Sequence, residues 1–294
     1  DFGVAGGKGT PRRWFRVAGR RGGAGEDGGG ETETDGIVGR EARAMDLYDY
    51  AAEKSAVARV DRGNSAHKQS LENLRSSTFE HFPTGAHMML GPLEASLLGI
   101  LVGVSGASRV LEIGTFTGYS AMAMIEALPQ EGGYIKSIDK DPRCHALARE
   151  HLSRHPKGDK VDLVLGDAME ILDKLPEDDP YDVVFIDADK KMYLRYYEAI
   201  LAKKLIKTGG LIIVDNVLFR GMVAEVADET EADAAAIPSS PSSSPTSREE
   251  KTRKRHLKIA QALHEFNSAV AADERTESVL LPIRDGLTII RRKS

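Results

Sequence analysis

The feature that most constrains this 294-residue chain is an alternation between Arg109 and Val214. Short β-type runs, Arg109 to Ile113, Tyr134 to Asp139, Val161 to Leu165, Tyr181 to Ile186 and Leu211 to Val214, take turns with segments of helical character such as Tyr119 to Leu128 and Asp141 to His151. The last two runs are almost continuously apolar, the signature of strands covered on both faces in a parallel sheet. Such alternation implies βαβ units and a doubly wound α/β fold. Towards the end, Val279 to Ile283 and Leu287 to Ile290 flank Asp285-Gly286. An Asp-Gly pair between apolar runs signals a hairpin, so the mostly parallel sheet, flanked by helices, closes with an antiparallel strand.

The folded domain is expected over 46–294. Residues 1–45 are Gly- and Arg-rich and then polar, a composition that buries too little apolar surface to offset chain entropy. A second irregular stretch, Asp228 to Arg255, contains the Ser/Pro run from Pro238 to Pro245 and reads as a low-complexity insertion in the domain, with patterning resuming at Leu257. The charged run from Arg248 to Arg255 reads as a solvated helix start. The net charge of −5 argues against a general nucleic-acid binder, which needs a dense field of Lys and Arg. Cys144 is the only cysteine, which excludes an internal disulfide and a cysteine-based zinc site. No uninterrupted apolar run reaches the roughly 20 residues of a membrane span, so no membrane partner is expected. The location expected is cytoplasmic. The Arg12 to Arg16 patch suits a transit-peptide remnant, but the Glu and Asp that follow weaken that reading.

In a doubly wound sheet, ligands bind at the carboxyl ends of the strands. After the first run comes Glu112-Ile113-Gly114-Thr115-Phe116-Thr117-Gly118-Tyr119-Ser120, where glycines allow a sharp turn and close backbone approach. The Gly-x-x-x-Gly spacing matches neither the dinucleotide fingerprint nor a P-loop. Asp139 closes the second run, where it can accept ribose hydroxyls, and Gly166-Asp167-Ala168 follows the third. On spacing alone, a plain glycine turn competes evenly with a cofactor loop. Asp187 and Asp215-Asn216 end the two apolar runs; as residue types they are hard oxygen ligands, though an Asp pair at strand ends more often serves as helix caps or surface turns.

The stretch Val110 to Ala121 resembles the first motif of the caffeoyl-CoA and catechol O-methyltransferases. Three further blocks agree: Phe185 to Lys190, Gly209 to Leu218 and Leu281 to Thr288. The similarity runs from about Ser70 to Arg292, interrupted by the Ser/Pro stretch. It implies a Rossmann-like methyltransferase fold, S-adenosylmethionine as cofactor and a divalent cation, Mg²⁺. It further implies that Glu112, Gly114 and Thr115 line the methionine part of the cofactor and that Ser120 holds its carboxylate. Asp139 then takes the ribose, Ala168 lies at the adenine, the Leu90 backbone closes over the cofactor, and Asp189 adds a contact. Ala95-Ser96 stands where the family commonly has Gly-Gln.

The resemblance also makes Asp187, Asp215 and Asn216 the metal ligands and Lys190 the base, with Asp187 counted as catalytic too. The chemistry agrees. Methyl transfer from a sulfonium needs a nucleophilic oxygen held opposite the departing sulfur, and a dication binding two adjacent oxygens stabilises the phenolate. The implied acceptor is a small-molecule vicinal-diol phenol, of catechol or caffeoyl-CoA type, and the implied assembly a homodimer. Tyr193 is the aromatic expected to touch a substrate ring, with Tyr196 and Tyr197 packing their helix. Phe219 and Arg220 depart from the Trp and Asn of the plant caffeoyl-CoA enzymes, which leaves the acceptor open. The competing readings are a metal-independent N-methyltransferase, a non-catalytic cofactor-binding scaffold and, more distantly, a dinucleotide oxidoreductase.

Overall fold

The computed structural model describes residues 47–55, 65–233 and 248–293. The expectations for 1–45 and for the Ser/Pro run therefore lie outside the described residues. Helices α1 (Leu47–Lys54), α2 (Ser65–His81) and α3 (Pro92–Val104) precede the sheet. Then β1 (Arg109–Ile113), α4 (Tyr119–Ile125), β2 (Tyr134–Asp139), α5 (Pro142–Leu152), β3 (Val161–Leu165), α6 (Ala168–Lys174), β4 (Tyr181–Ile186), α7 (Tyr193–Ala202) and β5 (Ile206–Asp215) alternate. Helices α8 (Met222–Asp233) and α9 (Arg248–Ala272) lead to the hairpin β6 (Thr276–Leu281) and β7 (Leu287–Arg292).

The strands form one sheet in the order β3-β2-β1-β4-β5-β7-β6. Strands β1 to β5 are parallel, while β7 runs antiparallel between β5 and β6. The doubly wound sheet with its antiparallel hairpin is as expected. Two details differ. The strands of the hairpin are joined by five residues, 282–286, in which Arg284 (φ 52°) and Gly286 (φ 90°) are left-handed, rather than by a tight Asp-Gly turn. Helix continues to Asp233 and resumes at Arg248, so both described ends of the expected irregular stretch 228–255 are helical. The helix from Arg248 is the solvated helix start expected of that charged run, so the difference lies at the other end of the stretch, where α8 runs on to Asp233.

Strand side chains alternate faces with a period of two. Leu111 and Ile113, Val184 and Ile186, and Ile212 and Val214 face a core closed by α7 and α9. Val110, Val183, Phe185 and Ile213 face the opposite core, closed by α2, α3, α4 and α5. Phe266 of α9 packs edge-on to Tyr193 and Tyr197 of α7, with ring centroids 5.8 and 6.1 Å away. Aromatic pairs of this kind contribute about 0.5–1.5 kcal/mol beyond area burial. One segment, Ala86–Val104, has the length (19 residues) and mean hydropathy (1.5) of a membrane span. Its helical core α3 has only 13 residues, about 20 Å at 1.5 Å per residue, short of the roughly 30 Å of hydrocarbon. Its buried face (Ala95, Leu98, Val102) belongs to the second core.

Candidate active site

Parallel pairing sets the site's frame. Ile186 of β4 lies beside Val214 of β5, so the next residues, Asp187 and Asp215, emerge side by side. Neighbouring strands are about 4.8 Å apart, and the two-residue period turns both carboxylates towards the face that bears α3. Asp215 is buried, Asp187 half-buried. Burial raises both carboxyls above the ordinary range, and the charge of Asp187 raises Asp215 further. One Asp215 oxygen accepts from the N–H of Asn216 at 2.7 Å. Asn216 follows in the left-handed region (φ 60°), a conformation Asn tolerates better than most residues. Lys190 Nζ lies 3.5 Å from Asp187 Oδ1.

Gly114 closes the gap between the ends of β1 and β4. The Asp187 N–H donates to the Ile113 carbonyl at 2.9 Å, and a Cβ on Gly114 would overlap the Asp187 carbonyl. With φ 103°, the position demands glycine on both counts. The Asp139 carboxylate joins two loops: Oδ2 accepts from the Phe116 N–H at 2.8 Å and Oδ1 from the Asp141 N–H at 2.9 Å. Each oxygen keeps a second lone pair for a ligand hydroxyl. Asp167 caps α6 by accepting from the N–H groups of Met169 and Glu170, which presents Ala168 at the start of that helix.

These ends border one cavity of about 900 Å³, at the upper end of the size range for small-molecule sites. Of the sequence-derived site residues, Leu90, Gly114, Thr115, Ser120, Asp139, Ala168, Asp187, Asp189, Lys190, Asp215 and Asn216 all line it. Glu112 does not. It lies one layer behind, fully buried, accepting from Ser120 Oγ at 2.5 Å and from Ser137 Oγ. Burial pushes its carboxyl up to about 7, against the two hydroxyl donors that favour the anion.

The tyrosines change places relative to expectation. Tyr193 is completely buried and donates to the Asp215 carbonyl at 3.0 Å, so it supports the carboxylate strand instead of meeting a ligand. Tyr196 lines the cavity. The reason is helical phase: a 3-10 turn over Lys190–Met192 precedes α7 and rotates its faces. Sequence reasoning also missed a wall of the cavity contributed by His81 at the end of α2 and Phe82 after it, Arg255 and His256 on α9, and Arg284 on the hairpin loop. Phe219 stacks edge-on against His256 at 5.5 Å. Behind Arg284 sits Glu94, buried in α3, accepting from Tyr48 at 2.6 Å and 3.8 Å from the Arg284 guanidinium. A buried Glu in an apolar helix was the one available signal for this group.

A family model described as O-methyltransferase matches residues 62–293. The chain belongs to the O-methyltransferase family. Tricin synthase 1 of Oryza sativa subsp. japonica is 32% identical over 253 residues, 84% of this chain and 87% of the relative. Caffeoyl-CoA O-methyltransferase of Eucalyptus gunnii is 33% identical over 249 residues, 84% and 87% of the two chains. Among solved structures, the SAH-bound Podospora anserina methyltransferase PaMTH1 superposes with a TM-score of 0.66 at 28% identity, covering 83% of this chain and 93% of that one.

Proposed function

We propose that this O-methyltransferase moves a methyl group from S-adenosylmethionine to one hydroxyl of a vicinal-diol phenol, of catechol or caffeoyl-CoA type, with a divalent cation, Mg²⁺, beside the acceptor. The observation that carries the reading is the Asp187–Asp215 pair, adjacent across two parallel strands, with Lys190 3.5 Å from one of them and the glycine loop of β1 in the same cavity. The donor set fits a cation. Two carboxylates and an amide are hard oxygen ligands, and Asp187 and Asp215, half-buried and buried, bring two adjacent negative charges to one cavity.

Gly114, Thr115 and Ser120 would hold the methionine end of the cofactor, with Glu112 behind them as the anion an ammonium group draws on through Ser120. Asp139 would take the ribose, and Leu90, Ala168 and Asp189 the remaining contacts. Asp187, Asp215 and Asn216 would hold the dication. When bound, the cofactor supplies an electrophilic methyl on a sulfonium, and the dication supplies charge that favours a phenolate. Lys190, in its neutral amine form, would accept the phenolic proton at Nζ as the oxygen takes the methyl group. Tyr193 keeps the Asp215 backbone fixed, which holds the acceptor in line. Phe219 and His256 offer aromatic surface for the acceptor ring, and Arg220, Arg255 and Arg284 line the same cavity with charge suited to an anionic substituent such as CoA phosphate. A homodimer belongs to the reading as well, checked by light scattering in solution.

Lys190→Ala is expected to cut turnover by about 10² to 10⁴, the usual contribution of a positioned base, while calorimetry still detects cofactor and Mg²⁺ binding. Turnover of that variant should recover partly at high pH. Asp215→Asn should instead lose Mg²⁺ binding along with activity. Full turnover by Lys190→Ala across about pH 6 to 9 would remove the lysine from the mechanism, and methylation that survives EDTA would remove the cation.

A further inference from the structure

Away from the cavity, three elements bring together His67 in the first turn of α2, Glu126 at the C-terminal end of α4 and His155 in the turn after α5. None of the three lines the cavity. His67 Nδ1 lies 3.1 Å from His155 Nε2, His155 Nε2 lies 3.4 Å from Glu126 Oε1, and His67 Nδ1 lies 3.9 Å from the same oxygen. In a tetrahedral zinc site with bonds of 2.0–2.1 Å, ligand atoms stand about 3.4 Å apart. The observed triangle has the dimensions of one face of that tetrahedron.

We propose that His67, Glu126 and His155 form a second cation site, distinct in chemistry from the carboxylate pair, that takes a borderline transition-metal dication such as Zn²⁺ and pins α2 to the ends of α4 and α5. Two imidazoles and one carboxylate are a known zinc-type donor set, with a fourth position left for water. Mg²⁺, which demands oxygen ligands, is the wrong ion for it.

The surroundings orient the ligands. Lys157 Nζ sits 3.1 Å from Glu126 Oε2 and donates to the Glu126 carbonyl at 3.1 Å, which leaves Oε1 aimed at the two histidines. Outer partners of this kind fix first-sphere ligands. The Lys157 N–H donates to His155 Nδ1 at 3.2 Å, so ligation through Nε2 moves the ring proton to Nδ1 and this amide must turn to water.

A bound ion would act on the cavity only indirectly, because α2 leads straight into His81 and Phe82 on its wall. The test uses untagged, metal-stripped full-length protein with Mg²⁺ present in excess to occupy the oxygen site. Titration with Co²⁺ should give the intense visible absorption of a tetrahedral ion, saturating at one equivalent and displaced by Zn²⁺. His67→Ala should abolish that absorption and weaken Zn²⁺ binding by at least about tenfold, with Mg²⁺-supported methylation unchanged. Glu126→Gln, at a more exposed position, provides the same readout should the histidine variant fold poorly. Only weak, octahedral-type absorption in the unmodified chain, or intense absorption that survives both substitutions, overturns the proposal.

Discussion

Glu112 has no solvent contact, and its two hydroxyl partners do not fully replace water. Its carboxyl titrates at about 7 in the fold, against about 4.5 when unfolded. The folded chain therefore binds this proton more tightly, and stability falls as pH rises from about 4.5 through 7. The full shift corresponds to about 3 kcal/mol, lost above that window. Glu112→Gln should flatten this part of the profile. Urea midpoints of the two proteins, followed between about pH 5 and 8, should converge at the acid end and diverge in favour of the variant at the alkaline end. Parallel curves would show that Glu112 is ionised throughout. At this scale the strand-end residues were legible, since Asp139, Asp187, Asp215 and Asn216 all sit where strand runs stop, whereas Lys190, in the turn beyond, was indicated by the family resemblance alone. The burial of Glu112 was not, because a strand's last inward residue cannot be told from a rim residue without knowing what covers it.

At the scale of elements, the hairpin loop is built onto the loop after β5. The Asp285 carbonyl accepts from the Leu218 and Phe219 N–H groups at 2.7 and 3.2 Å, its carboxylate accepts from the Arg220 N–H at 3.3 Å, and the Gly286 carbonyl accepts from Val217 at 3.2 Å. A Cβ at Gly286 would lie 2.5 Å from Leu218 Cγ and 2.8 Å from Leu218 N, at a φ of 90°. Gly286→Ala should therefore destabilise by about 1 to 3 kcal/mol through strain at a left-handed position, and displace Asn216 through Val217. On the proposed reading, Mg²⁺ affinity measured on this variant should fall although none of the proposed ligands has changed; unaltered affinity would mean that the two loops are independent. Strand positions were readable because apolar runs and turn residues are local signals. The loop-on-loop lattice was not, since it joins segments far apart along the chain. The phase of α7 failed for a related reason: a 3-10 turn ahead of the helix shifts the period.

For the whole molecule, the cofactor loops and the carboxylate pair share one edge of one sheet, so ligand binding should stabilise the domain as a unit. S-adenosylmethionine at about 100 times its Kd should add about 2.7 kcal/mol, raising Tm by about 5 to 11 °C for a domain of this size. A calorimetric trace in which only part of the unfolding peak moved would separate the two halves. The fold class was readable early because alternation along the sequence and crossover topology express one geometric rule. The close seat of Gly114 against the Asp187 carbonyl has a further consequence, for kinetics. β1 finds β4 only after α4, β2, α5, β3 and α6 have intervened in the chain, so that contact closes a long loop and is entropically slow to form. Helical signal can thus return on refolding well before the chain is competent, and regain of activity is a clock for the meeting of β1 and β4.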